Sequence, residues 1–324
     1  MIPSQFLRNN GDFKMDEVTH DVIIIGGGPA GLTAGIYTSR GRLNTLLLEK
    51  GVCGGLPATT DLIENYPGFP KGVNGMDLMN KFKEQAEKFG VKINELEEVK
   101  KVEPQGKTIK VETDEKEYSA HTVIVVSGSI PKKLNIVGEE KYIGKGVSYC
   151  ATCDGPLYKD KDVAIVGCGN SGLQEGEFLL KYVKSISLVE FLPYMTAEKI
   201  LQERLQKNKN VSFLLNHALM SINGDTRVNS IKVKDQKTGK EKEIKVAGVF
   251  IYVGFLPNSK FLEGVVKLDK AGYVITNEKM ETSRRGIYAA GDICSKAVRQ
   301  IAPACGDATI AAISAMDYIK ELTE

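Results

Sequence analysis

With 324 residues, 42% of them hydrophobic and 26% charged, the chain has the make-up of an ordinary globular protein and the length for about two domains, each with its own core. A formal net charge of +2 and the lack of any basic stripe exclude an electrostatic nucleic-acid binder. No apolar run is long enough to span a bilayer, and the polar stretch Met1–Asn10 is not a secretory signal, so no membrane partner and a cytoplasmic location are expected.

Residues 1–17 read as a polar N-terminal extension, with Met15 as a second candidate start. Val22-Ile23-Ile24-Ile25 is a short β-branched run, the pattern of a strand buried on both faces. Gly26-Gly27-Gly28-Pro29-Ala30-Gly31 follows, then a helical stretch Leu32–Ser39 and a second strand, Asn44–Glu49, that ends on an acid. A lone Gly-x-Gly-x-x-Gly is a weak signal; the order strand, glycine turn, helix, strand, acid makes it a dinucleotide fingerprint. Gly26, Gly28 and Gly31 allow a pyrophosphate to approach a helix N-terminus, and Glu49 is set to hydrogen-bond a ribose. Gly54–Pro57 and Glu64–Phe69 are rich in turn formers. Gly75–Phe89 reads as an amphipathic helix, and Thr108–Thr113 and Thr122–Ser127 as strands, the latter ending at Gly128.

The stretch Ser148-Tyr149-Cys150-Ala151-Thr152-Cys153-Asp154-Gly155-Pro156 carries the chemistry. Two thiols three positions apart close a ring too small to stabilise much, about 2 kcal/mol against about 5 for a loop of about a hundred residues. A persistent bridge is also unexpected in the cytosol. A dithiol that cycles is the better reading. Turn amides directed at a sulfur lower its pKa, and Asp154 is placed to donate or accept a proton. A zinc site needs two more ligands at paired spacing, whereas Cys53, Cys168, Cys294, Cys305, His20, His121 and His217 are scattered singly; no metal is expected.

The fingerprint then recurs. Val163–Val166 leads into Gly167-Cys168-Gly169-Asn170-Ser171-Gly172, a helical stretch Leu173–Lys184, and Ile186-Ser187-Leu188-Val189-Glu190. Glu49 lies 23 residues after Gly26, and Glu190 lies 23 after Gly167. Ile231–Lys234 and Glu243–Val246 flank a polar turn at Thr238-Gly239 and read as a solvated hairpin. Val249–Gly254 is a buried strand, Tyr288–Asp292 a strand running into a glycine-acid turn, and Ala302–Leu322 a helix with small residues on one side.

Taken together, Gly26–Gly31, Gly54-Gly55-Leu56, Glu64–Gly68, Cys150–Asp154, Gly167–Gly172, Ala289–Asp292 and Arg299-Gln300 resemble the low-molecular-weight thioredoxin reductases, from about residue 18 to the C-terminus. The resemblance implies an α/β fold of two Rossmann-like dinucleotide-binding domains, the second inserted into the first. FAD-binding segments 18–132 and 260–324 would enclose a nicotinamide-binding domain, 133–259, that carries the dithiol. It also implies FAD, a thioredoxin or thioredoxin-like partner, and a homodimer. Gly26, Gly28, Gly31 and Glu49 would hold the FAD pyrophosphate and ribose. Gly55 and Asn65 would approach the flavin, with Gly128, Asp292, Arg299, Gln300 and Ile301 completing its pocket. Gly167, Gly169, Asn170, Ser171, Gly172 and Glu190 would hold the nicotinamide nucleotide. Cys150, Cys153 and Asp154 would be catalytic, with Cys153 against the flavin. The same resemblance implies rotation of the inserted domain, with hinges near Leu134–Ile136 and Phe255–Asn258.

One segment departs from the family. NADPH-using members carry His-Arg-Arg-x-x-x-Arg after the second strand of the nicotinamide domain, where this chain has Glu190, Phe191, Leu192 and Thr196. An acid in place of that cation cluster leads to an expectation of NADH over NADPH. Glu190–Pro193 is similar to the flavoprotein of alkyl hydroperoxide reductase, which keeps a peroxiredoxin-system reductase as an alternative. Ferredoxin as donor, a thiol oxidase that passes electrons to oxygen, and a non-enzymatic nucleotide sensor with an inert dithiol are the others.

Overall fold

The computed structural model describes residues 19–324, so the extension expected over 1–17 lies outside the described residues. Strands β1 (His20–Ile25), β2 (Thr45–Glu49), β3 (Lys92–Glu95), β4 (Val99–Gln105), β5 (Thr108–Thr113) and β6 (Glu117–Val125) lie in the order β3-β2-β1-β6-β5-β4. β1 pairs in parallel with β2 on one side and β6 on the other. Val22, Ile23 and Ile24 are fully buried there, which is why this strand is a β-branched run without polar alternation. Helix α1 (Pro29–Arg40) connects β1 to β2, and α2 (Gly75–Lys88) starts on Asn74, whose side chain accepts the Met76 and Asp77 amide N–H groups.

The chain leaves this unit through β7 (Ser129–Pro131) and builds a second one. Its parts are β8 (Val147–Ser148), α3 (Ala151–Asp154), β9 (Asp162–Val166), α4 (Asn170–Leu179), β10 (Ser185–Val189), α5 (Lys199–Gln206) and β11 (Val211–Leu214). After these come β12 (His217–Gly224), β13 (Val228–Asp235), β14 (Glu241–Lys245) and β15 (Gly248–Ile251). The parallel sheet runs β11-β10-β9-β15-β8, with β12-β13-β14 as a separate antiparallel sheet. β16 (Phe255–Pro257) returns beside β7 as an antiparallel two-stranded ribbon. β17 (Ile287–Ala289) then joins the first sheet next to β6, and α6 (Ile301–Thr323) packs on α1 through buried Ala304, Ala308, Ala311, Ala312 and Ala315. The second Rossmann-like unit is thus inserted into the first.

Two expectations need correction. The hairpin at 231–246 is not solvated on both faces: Ile231 and Val233 are fully buried against Ala164, Val166, Val249 and Ile251 of the parallel sheet, and β12 adds a third strand. The helix expected over 173–184 begins earlier, at Asn170, and ends at Leu179, because the chain turns there to bond Lys184 N–H to the Lys161 carbonyl. Between the two units the β7–β16 ribbon is closed by Lys132 N–H to Gly254 O and Asn258 N–H to Gly128 O, each 3.0 Å. Leu134 and Ile136 already pack against the inserted core.

Candidate active site

The carboxyl ends of the two parallel sheets line one cavity of about 1240 Å³. From the first unit it takes Gly26, Gly28, Glu49, Gly55, Asn65, Gly128, Asp292, Arg299, Gln300 and Ile301. From the inserted unit it takes Gly167, Gly169, Asn170, Ser171 and Glu190.

The two glycine loops are wired alike. A Cβ on Gly26 (φ +117°) would lie 2.4 Å from Val126 O, and one on Gly31 would lie 1.9 Å from Gly26 O. In the inserted unit Gly167 (φ +104°) and Gly172 meet Tyr252 O at 2.1 Å and Gly167 O at 2.0 Å. These four glycines are needed by the backbone, and Gly31 and Gly172 do not line the cavity. The middle glycines differ: nothing lies within 3.9 Å of a Cβ on Gly28 or 3.5 Å of one on Gly169. They open on the cavity at the starts of α1 and α4, neither of which has a side-chain cap. Uncapped amides at a helix start form an anion site, and the open glycine lets a phosphate reach it. The acids repeat too. Glu49 accepts Gly27 N–H (2.7 Å) and Gly51 N–H (2.8 Å); Glu190 accepts Cys168 N–H (2.7 Å) and Leu192 N–H (3.0 Å).

At the other end of the cavity, Asp292 Oδ1, Arg299 Nε and Ser129 Oγ are buried without a hydrogen-bond partner. Such atoms cost about 1–3 kcal/mol each unless a ligand satisfies them. Burial raises the Asp292 carboxyl pKa, against the pull of Lys296 and Arg299. The Arg299 guanidinium carbon lies over the Tyr273 ring, 4.0 Å from its centroid, and Asn65 Nδ2 donates to Gln300 Oε1 at 3.2 Å. An acceptor for a polyol hydroxyl, a donor for a ring carbonyl and an open pyrophosphate loop are the donor and acceptor set that FAD requires, and the residues fit it.

The dithiol stands apart. Cys150 and Cys153 are bridged, and Cys150 caps α3, with Cys153 N–H donating to its sulfur at 3.2 Å. Ser148 Oγ accepts Cys150 N–H and donates to Cys150 O, both at 3.1 Å, and Ala151 N–H donates to Tyr252 OH at 3.0 Å. Asp154 is half-buried, its N–H on Cys150 O at 3.2 Å. Neither sulfur lines the cavity and Cys153 is exposed, so the expectation of Cys153 against the flavin end is not met in this orientation. The inserted unit presents its nucleotide loop to the shared cavity instead.

Residues 20–308 match the pyridine nucleotide-disulphide oxidoreductase family. The thioredoxin reductase of Bacillus subtilis is 44% identical over 313 residues, covering 95% of this chain and 98% of its own length. The chain belongs to the low-molecular-weight thioredoxin reductases of that family. Lactococcus lactis thioredoxin reductase in its FR conformation superposes with a TM-score of 0.91 at 38% identity, over 93% of this chain and 99% of its own. The Streptococcus pyogenes enzyme, at 37% identity over 93% and 98%, reaches only 0.62.

In this reductase the two units also meet through side chains away from the ribbon. Thr152 Oγ1 donates to Thr59 O (2.6 Å), Lys181 pairs with Asp61 (2.5 Å), and Arg204 grips Glu64 through both terminal nitrogens (2.5 and 3.1 Å). The ion pairs are about one-third to one-half exposed, so each contributes about 0–1 kcal/mol. Cys53, Cys168 and Cys294 are buried, which pushes each thiol up to about 12 and leaves them poor nucleophiles. Nothing in the sequence singles out Ser129, Tyr252 or the interdomain contacts of Thr59, Asp61 and Glu64. Tyr252 read as strand core, and only its hydroxyl's approach to Ala151 reveals a second role.

Proposed function

We propose that this thioredoxin reductase takes two electrons from NADH, in preference to NADPH, and passes them to the Cys150–Cys153 disulfide and on to the disulfide of a thioredoxin or thioredoxin-like protein. The balance is NADH plus a proton and a disulfide giving NAD⁺ and two thiols. FAD, when bound, supplies the two-electron chemistry between nicotinamide and disulfide. Gly26, Gly28 and Glu49 hold its pyrophosphate and ribose, Asp292 and Arg299 meet its hydroxyls and carbonyls, and Gly55, Asn65, Gly128, Gln300 and Ile301 complete the pocket. Gly169, Asn170, Ser171 and Glu190 hold the nicotinamide nucleotide. Cys153 N–H stabilises a thiolate on Cys150, and Asp154, next to the second thiol, donates or accepts the proton of the sulfur chemistry. Domain limits near 132 and 259, a homodimer and a cytoplasmic location belong to the same reading.

The dithiol must then reach the flavin end, so the inserted domain rotates on the β7–β16 ribbon. Two observations support this: the exposed position of Cys153, and relatives within one percentage point in identity and coverage whose superpositions differ as widely as 0.91 and 0.62. Comparable chains superpose so differently when rigid parts are turned relative to each other.

The observation that carries the choice of NADH is the pinned carboxylate of Glu190. Held by two amides at the cavity wall, it can accept both ribose hydroxyls of NADH, whereas a 2′-phosphate would face it without the cations of the NADPH-using members. Two unit charges about 4 Å apart at an effective dielectric near 20 interact by roughly 4 kcal/mol. A fraction of that separates the coenzymes by about tens to hundreds of fold. Anaerobic reduction of the flavin by NADH, NADPH and reduced ferredoxin in turn tests this. Faster bleaching by NADH is expected, with the Glu190→His, Phe191→Arg, Leu192→Arg variant moving toward NADPH. Efficient wild-type reduction by NADPH would overturn the specificity, and reduction by ferredoxin alone would overturn the nicotinamide donor.

A further inference from the structure

Glu139 is a carboxylate only 2% exposed, with no ion-pair partner among the described residues. It accepts three hydrogen bonds: from Leu134 N–H (2.9 Å), Asn135 N–H (2.5 Å) and the Tyr149 hydroxyl (2.8 Å). These donors come from two functionally distinct places. Leu134 and Asn135 follow the last ribbon bond, at Lys132, and are where the chain enters the inserted unit. Asn135 has φ +56°, a left-handed conformation that its bond to Glu139 helps to hold. Tyr149 immediately precedes Cys150, whose N–H and carbonyl are both bonded to Ser148 Oγ. A buried carboxylate without a cation is costly and is tolerated only where strong donors satisfy it. Here those donors join the chain's entry into the inserted unit to the shoulder of the dithiol.

We propose that Glu139 is a positioning residue of the reductase: through Tyr149 it makes the hinge exit and the dithiol turn one rigid body. The angle of the inserted domain then sets where Cys150 and Cys153 come to rest at the flavin end. This rests on the rotating-relay reading given above. Tyr149 is suited to the task because burial, and after it the bond to Glu139, raises its pKa and keeps the hydroxyl a donor. Tyr149→Phe is the informative change, since it cuts the link to the dithiol and leaves the Leu134 and Asn135 bonds in place. Glu139→Gln disturbs both sides.

The test uses FAD-loaded Tyr149→Phe and wild type. Flavin reduction by the preferred nucleotide should stay within about twofold of wild type. Electron transfer from photoreduced flavin to the Cys150–Cys153 disulfide should slow about 10-fold, as expected for a small misplacement of reacting groups. Independently of turnover, amide hydrogen exchange should quicken at Tyr149–Ala151 in the variant and stay unchanged at Leu134–Asn135. Glu139→Gln should quicken exchange at both. Equal slowing of the two half-reactions in Tyr149→Phe, or transfer to the disulfide at the wild-type rate, overturns the proposal. A wild-type enzyme whose photoreduced flavin never opens the disulfide overturns the relay itself, a result distinct from any behaviour of the variant.

Discussion

Replacing Cys150 or Cys153 by Ser should lower thioredoxin-dependent turnover by about 1,000-fold or more while the protein stays yellow. The expectation follows from separation in space. Neither sulfur lines the cavity that fits FAD, so removing one leaves the glycine loops and the Asp292–Arg299 end untouched. Nucleotide-driven bleaching should therefore survive in both variants. No other cysteine can substitute, because Cys53, Cys168 and Cys294 are buried thiols held up to about 12, and Cys305, half-buried on α6, is also raised by burial. Full disulfide-reductase activity in the Cys153→Ser protein would end the assignment.

The second large effect should come from holding the domains still. Glu64 and Arg204 are partly exposed and face each other across the interface, so Glu64→Cys with Arg204→Cys can be joined by a short bifunctional maleimide in the oxidised protein. The locked enzyme is expected to accept electrons from nucleotide at the normal rate. It should lose thioredoxin turnover by about 100-fold or more, regained when a cleavable linker is cut. Undiminished turnover with the linker intact would mean that the dithiol reaches its partners without rotation. The natural contacts do not impose such a lock. Two half-exposed ion pairs at about 0–1 kcal/mol each can bias two orientations by no more than roughly 30-fold, which leaves both accessible.

How much of this was readable beforehand depended on how local each signal is. β1, the Gly26–Gly31 turn, α1 and Glu49 are contiguous, and the second copy repeats the spacing, so both Rossmann-like units could be placed from sequence. β12 could not: His217–Gly224 is only partly apolar, and its strand character comes from pairing with β13. The flavin end was legible only through family resemblance, because Asn65, Gly128 and Arg299 lie far apart in the chain and carry no pattern in common. Ser129 and Tyr252 were invisible for a related reason. Their roles rest on one orphaned oxygen and one hydroxyl contact, which no periodicity records. Orientation was the least legible feature, since it is set by a few weak surface contacts and not by a packed core.

Glu190 also conceals something. Its two oxygens occupy the amides of Cys168 and Leu192, and the uncapped start of α4 lies beside the first of them. Take the carboxylate away and these backbone donors become a vacant concave nest, the kind of surface that gathers anions. A change of coenzyme therefore need not wait for arginines to accumulate; its first mutational step can be a deletion of charge that unmasks a phosphate foothold already built into the main chain. Glu190→Ala alone should narrow the NADH-to-NADPH ratio of kcat/KM by about 10-fold, and Glu190→Gln by less, because the amide oxygen keeps one of the two N–H groups occupied. An unchanged ratio in Glu190→Ala would show that the nest stays closed without its acid.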